Sequence, residues 1–372
     1  MKKKFLLIIL SSFLHAQEKI VIKDNENKEP IEYARIEIKN ERIFSNKEGE
    51  FFITAENKDS IKIKRLGYED VNTTYDKLKN EIYLIPKVFN IEEVIVSQFP
   101  DILKKSFYEI EKNYPLFPYS ENFNMRIVLK KNGKINKFED IIGTINRKTL
   151  FGTPKVEFTK NNFSVQINGL KKVNIKESNV DYVGFSFYDF LLKIGSLYIS
   201  PKEVTFKVAS NDIHKVTFVG RKEKATAQGY YYIDDKDFAI KEFYLNDLTP
   251  DASYVKTKGV QFRTVFYEVN TFYQKADNAK YFISSSKLHA IVEVIDTKGE
   301  RIEYDCEYFI STKDNFTDIP VKTNISLSED LFEIKTKKNS KLIESIRSFK
   351  LTDEMEKFLN DAKSNPNNYI TN

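Results

Sequence analysis

The 372-residue sequence contains one cysteine, no tryptophan, three histidines, 12 glycines and 10 prolines. Each scarcity excludes something. A lone Cys306 permits neither an intramolecular disulfide nor a cysteine-rich zinc site. Few glycines and prolines exclude collagen-like and low-complexity chains. There is no Gly-rich phosphate loop, no Gly-x-Ser-x-Gly elbow and no His-Glu-x-x-His pair, so the common motif-bearing nucleotide, esterase and metalloprotease chemistries lack their signatures. Basic residues are interspersed with acidic ones, and nucleic-acid binding needs a concentrated basic face.

Hydrophobic residues make up 41% of the chain and aromatics 14%, all Tyr and Phe. That is enough apolar material for real cores, and the aromatic enrichment favours strands. The length fits two or three domains at roughly 100–200 residues each. Met1–Lys4 carries three lysines, an apolar run from Phe5 to Leu10 follows, and His15-Ala16-Gln17 closes it. Charged start, apolar middle and small residue are the order of a secretory signal peptide. Residues 1–16 are expected to be removed, with the cut between Ala16 and Gln17. The apolar run is shorter than the ~20 residues that span a bilayer, and no cysteine follows it to carry a lipid. Without the three leader lysines, 56 basic residues face 54 acidic ones, a net charge of +2.

Residues 18–97 read as short strands separated by turns. Ile20 and Ile22 alternate with polar neighbours, as do Ala34, Ile36 and Ile38, then Ile61 and Ile63, then Ile82 and Leu84. A period of two marks half-buried strands, and turns every 8–12 residues mark a sandwich. The segments Pro30-Ile31-Glu32-Tyr33-Ala34-Arg35-Ile36, Ser45-Asn46-Lys47-Glu48-Gly49-Glu50-Phe51 and Leu66-Gly67-Tyr68-Glu69 carry more than alternation. With Ile82-Tyr83-Leu84 and Ile91-Glu92-Glu93-Val94-Ile95-Val96, this order of motifs resembles the carboxypeptidase regulatory-like domain. The resemblance implies a transthyretin-like, immunoglobulin-like β-sandwich in which Pro30, Ala34, Gly49, Phe51, Gly67 and Tyr68 are structural. That module accompanies carboxypeptidases without catalytic residues of its own. It occurs in exported envelope proteins of Gram-negative bacteria, including the N-termini of outer-membrane receptors, whose plug and barrel need more chain than follows here.

Residues 98–340 read as a larger antiparallel β domain with a leading helix. Leu103, Phe107, Ile110 and Tyr114 share one helical face, with Pro115 and Pro118 stopping it. Met125, Ile127 and Leu129 alternate into Lys131-Asn132-Gly133-Lys134, a hairpin signal. Phe185–Ile194, with Phe187, Phe190, Leu191 and Leu192, reads as a short helix. Strands are expected at Lys215–Gly220, Gly229–Asp234, Ala239–Leu245, Val260–Tyr273, Tyr281–Ile295 and Ile302–Ser311, as a meander. Residues 341–372 are expected to form a helical tail, helical from Lys341 to Ala362 and frayed from Ser364. The element Gly229-Tyr230-Tyr231-Tyr232-Ile233-Asp234 with Phe238-Ala239-Ile240 looks like the strand–turn–strand repeat of lipoprotein-carrier folds. There a curved sheet wraps a helix and leaves an apolar groove, which implies a hydrophobic ligand; the alternative is that the aromatics fill a sheet core.

No catalytic set, cofactor site or metal site is expected. Cys306 lies between Tyr304 and Tyr308 on one strand face and reads as a small core residue. His214 and His289 read as packed or surface histidines. Asp234, Asp235 and Asp237 offer oxygen ligands for calcium but also suit a turn. The expectation is a non-catalytic exported protein of the periplasm or outer-membrane surface, with no transmembrane span in the mature chain. Its sandwich serves docking or spacing, and its larger domain binds a protein partner or a hydrophobic ligand. The alternative is a hydrolase of glycan or peptide with a carboxylate pair that sequence spacing does not reveal.

Overall fold

The computed structural model describes residues 19–39, 41–53, 59–96, 98–151, 154–168, 171–172, 180–184, 186–195, 197–221, 226–257, 259–316, 321–333 and 350–371. The leader, with Ala16 and Gln17, lies outside them. The fold is mainly β, with few helices, and divides into two compact units: one reaching Pro86 and taking in Lys350, Leu351 and Thr352, the other made of the rest from Lys87.

The small unit has seven strands: β1 (Ile20–Asp24), β2 (Arg35–Ile38), β3 (Glu41–Phe44), β4 (Glu50–Phe51), β5 (Ser60–Lys64), β6 (Val71–Thr74) and β7 (Glu81–Leu84). They form two sheets, ordered β4-β1-β7 and β3-β2-β5-β6. β1 runs parallel to β7, and the other pairings are antiparallel. The alternating residues supply one core of Ile20, Ile22, Ala34, Ile36, Ile38, Ile61, Ile63, Ile82 and Leu84, with Phe51 as its aromatic member. β-branched side chains suit this because their stiff χ1 costs little entropy on a pleated surface.

The large unit begins with β8 (Asn90–Val96), α1 (Asp101–Tyr108) and α2 (Ile110–Asn113). The long strands β9 (Tyr119–Lys131), β10 (Lys134–Arg147) and β11 (Lys155–Ile167) follow, then β12 (Lys171–Lys172), β13 (Val180–Asp181) and α3 (Phe187–Ile194). Next come β14 (Val204–Ser210), β15 (Ile213–Gly220), β16 (Gln228–Asp234), β17 (Ile240–Leu248), β18 (Val255–Thr257), β19 (Val260–Lys275), β20 (Tyr281–Ile295) and β21 (Arg301–Phe316). The chain ends with α4 (Asp353–Ser364) and β22 (Tyr369–Thr371). All but β12 and β13 join one 13-stranded sheet, ordered β22-β11-β10-β9-β21-β20-β19-β17-β16-β15-β14-β8, with β18 on β19. The expected meander is its centre, and Asn132 and Gly133, with φ of 49° and 75°, make the β9–β10 hairpin turn.

One face of this sheet carries α3, which packs on β19 and β20. Phe187, Phe190, Leu191 and Ile194 are buried there. Phe187 meets Phe123 at 5.8 Å and Phe158 at 5.7 Å, and Phe190 meets Tyr308 at 5.6 Å. Tilted and edge-on aromatic pairs of this kind add ~0.5–1.5 kcal/mol each beyond their buried area. Buried ion pairs stitch the same unit: Arg126–Asp140 at 3.0 Å, Arg147–Glu121 at 3.1 Å and Lys137–Asp181 at 2.8 Å. Burial pushes the Glu121 carboxyl up, and Arg147 offsets only part of that.

Several expectations need correction. Val94–Val96 does not close the sandwich. Instead β8 pairs with β14 in the large sheet, Val94 opposite Lys207 and Val96 opposite Thr205. A strand pattern names its faces but not its hydrogen-bonding partner, here more than a hundred residues away. The single helix expected from Ile102 to Tyr114 is two, because Glu109 leaves helical geometry (φ −88°, ψ 8°). Asn113 and Tyr114 then donate to the carbonyls of Asp237 and Ile240. The tail is not frayed: β22 pairs with β11, Tyr369 opposite Ile167. Its described helix starts only at Asp353; residues 341–349, expected to be helical, lie outside the described residues, as does Phe185, the expected start of α3.

Candidate functional site

In the small unit the motif residues take structural work. Ser45, wholly buried, accepts from the Ala34 N–H at 2.9 Å and donates to the Ile31 carbonyl at 2.8 Å. Asn46 Oδ1 accepts from the N–H groups of Glu48 and Glu50, both at 2.9 Å. This turn needs Gly49, whose φ is +73° and whose absent Cβ would lie 2.5 Å from the Ile22 carbonyl oxygen. Pro30 bridges Lys23, Phe51 is buried, and Gly67 turns at φ 85°. Tyr68 donates to Asp24 Oδ2 at 2.8 Å. Burial and that carboxylate push the Tyr68 hydroxyl up to about 12. Burial works against ionised Asp24, yet donation from Glu26 N–H, Tyr68 and Asn27 N–H brings its carboxyl below the ordinary value.

The large sheet has two faces of opposite character. Along β20, Leu288, Ala290 and Val294 join the core, so the alternate residues Lys287, His289 and Ile291 point to the other face. The same rule puts Glu268 of β19 and Asp305 and Glu307 of β21 there, flanking Cys306. Register sets Glu268 opposite His289, and His289 opposite Glu307. His289 Nε2 lies 2.8 Å from Asp305 Oδ1, and its Nδ1 lies 3.7 Å from Glu268 Oε2. Lys287 Nζ reaches the same Glu268 oxygen at 3.1 Å, and the Phe266 ring packs against the imidazole at 4.9 Å. Burial opposes a charged imidazole, but Asp305 and Glu268 outweigh it and lift His289 to about 9. Burial likewise opposes ionised Glu268, yet His289 and Lys287 hold it down at about 2. The arrangement is an imidazolium clamped between carboxylates.

Polar side chains extend this face toward β15. Tyr230 stacks on Tyr244 at 5.1 Å and donates to Glu242 at 2.9 Å. Lys215 Nζ lies 5.2, 5.5 and 5.7 Å from the rings of Tyr230, Tyr232 and Phe89. At the sheet's end, β8 exposes Ile91, Glu92, Glu93, Val94 and Val96 while Ile95 packs on the core.

The other sequence candidates stand elsewhere. Cys306, between buried Tyr304 and Tyr308, is wholly buried, and burial pushes its thiol well up; such a thiol is inert. His214 sits between Ser210 (2.7 Å) and Asp235 (3.1 Å). Asp234 caps its own turn through the N–H groups of Lys236 and Asp237, and Asp237 accepts from Lys275 and Tyr281, so this cluster makes a hairpin and its ion pairs. Sequence reasoning passed over Glu268, Lys287, Asp305 and Glu307. The one signal present was their position, each alternating with core residues on a strand already expected.

These features define a mainly β protein of two units, a small two-sheet unit and a large antiparallel sheet with a helix on its apolar face. No family model matches the chain, and no curated protein matches it. Among solved structures, a LolA superfamily protein from Nitrosomonas europaea is similar at 10% identity over 61% of this chain and 96% of that one, with a TM-score of 0.21. A likeness so slight does not bear on fold or ligand.

Proposed function

We propose that this chain is a non-catalytic exported protein of the bacterial envelope whose large sheet binds an extended segment of a protein partner by adding it as a strand beside β8. The observation that carries this is the state of β8. It ends the hydrogen-bonded order, with β14 as its pairing strand among the described residues. Yet it is seven residues long and leaves Ile91 68%, Val94 58% and Val96 54% exposed. Long apolar edges are a liability that proteins blunt or use. Glu92 and Glu93 between those apolar residues favour a partner strand bearing lysine or arginine. On the other side of the sheet, the apolar face is occupied by the aromatics of α3, which favours a protein partner over a lipid guest.

The export reading is supported by the leader-like order of residues 1–17. No described helix is long and apolar enough to cross a membrane. The small unit, as a regulatory-like sandwich, serves docking or spacing.

The test places a photo-crosslinking residue at Val94 in cells, with Val219 on β15 as the exposed control. One envelope protein is expected to couple at position 94 and not at 219, and coupling at 94 should vanish when Glu92→Pro, which removes a backbone donor from β8, is added. Equal coupling at both positions, or survival in the proline variant, overturns strand addition. A chain retained in the cytosol with residues 1–16 intact overturns the envelope assignment. Lipid found by native mass spectrometry after mild purification would redirect the reading to an apolar ligand.

A further inference from the structure

We propose that His289, Asp305 and Glu307 form a binding site for a divalent transition metal of the zinc class on the polar face of the large sheet. This goes beyond the partner-binding reading and does not depend on it.

The three ligand atoms lie within 4.8 Å of one another. They come from neighbouring strands: His289 stands directly across from Glu307, and Asp305 is two residues earlier on the same strand and face. Tetrahedral zinc with bonds of about 2.0–2.2 Å to nitrogen and oxygen sets its ligand atoms roughly 3.4 Å apart. The 2.8 Å between Nε2 and Oδ1 opens to that spacing with a small side-chain rotation. The donor set of one imidazole and two carboxylates suits borderline cations such as Zn²⁺. Three protein ligands leave a coordination position for water or a partner's side chain.

The far side of the imidazole is also occupied. Nδ1 faces Glu268, and Glu268 is itself fixed by Lys287. A metal-bound histidine almost always donates its other N–H to such a carboxylate, which sets the tautomer and ring orientation. Here Glu268 stands 3.7 Å from Nδ1, close enough to take that role after a small shift, and Phe266 holds the ring from the side. A metal binds the neutral imidazole through the Nε2 lone pair, and a proton held on that nitrogen passes to solvent as the metal–nitrogen bond forms.

The test is calorimetric titration of the chelator-treated full chain with zinc chloride at pH 7.5. One zinc per chain is expected. Asp305→Asn and Glu307→Gln should each weaken binding by at least tenfold. Glu268→Gln should weaken it by about tenfold, the usual effect of losing an orienting partner. His214→Gln should change nothing. Circular dichroism confirms that each variant folds, and because three separate substitutions report, the failure of one to fold leaves the others decisive. Absence of binding overturns the site. So does binding that survives both Asp305→Asn and Glu307→Gln, or that disappears with His214→Gln.

Discussion

The two units bury different materials. The small unit is filled mainly with isoleucine, its residues drawn from two sheets of short strands, with Phe51 the aromatic of its described core cluster and Phe44 buried outside that cluster. The large unit is filled with rings, from Phe123 and Phe158 through Phe187 and Phe190 to Tyr231, Phe243 and Tyr308, and it holds charges in its interior as well. Geometry explains the contrast. Two short sheets facing each other leave a thin space of about 10 Å that branched aliphatic chains fill from both sides. A sheet covered by a helix leaves a thicker and less regular space, and large flat side chains reach across it. The difference teaches that a sequence's aromatic content reports the depth of the space to be filled, before it reports any ligand.

If so, the large unit should be the more sensitive to truncation. Phe187→Ala is expected to cost ~3–5 kcal/mol, seen as a lower denaturant midpoint, because its ring is shared by Phe123, Phe158 and Phe190. A loss under 1 kcal/mol would mean that the helix rests loosely on the sheet, and would reopen the groove.

The polar face sharpens the contrast next. In metal-free protein, the His289 imidazolium lies at about 9 rather than its ordinary value of 6.5. A raised basic group contributes stability that is complete below the unfolded value and is lost as pH rises through the folded one. The large unit should therefore weaken between pH 6.5 and 9, by at most ~3.4 kcal/mol at one pKa unit per 1.36 kcal/mol. His289→Gln should flatten the profile, and an NMR titration midpoint near 6.5 would refute the clamp.

Backbone sensitivity belongs to the small unit. Gly49→Ala meets both positive φ and the Ile22 carbonyl, and ~1–3 kcal/mol of destabilisation is expected, read by hydrogen exchange in β1 and β4. The smallest effect is Ile61→Val, a buried methyl group lost from the aliphatic core, at ~0.5–1.5 kcal/mol. If Ile61→Val proved as damaging as Phe187→Ala, the two cores would not differ in kind.

Much of the strand pattern was legible because burial on one face writes itself as a period of two. Tyr281–Ile295 was read to the residue, and Asn132-Gly133 marked the β9–β10 hairpin because few residues accept two consecutive positive φ values. Several strands were passed over. Val204, Phe206 and Val208 alternate inward along Val204–Ser210, as do Val156 and Phe158 in Lys155–Ile167, so their signal was present but unread; Tyr369–Thr371 is too short to show a pattern before its partner is known. The polar face was illegible for a related reason. Glu268, His289 and Asp305 stand 21 and 16 residues apart in sequence, and only the register of β19, β20 and β21 makes them neighbours.

The sequence alone settled the mainly β character, the turn positions and which residues face inward, since these follow from side-chain alternation and backbone sterics acting over a few residues. Tertiary structure decided which strand lies beside which. It took β8 into the large sheet, tied the C-terminal residues to β11, and gathered His289 with its carboxylates. Hydrogen-bond pairing between distant strands is set by the free energy of the whole assembled sheet, and no local run of residues encodes it.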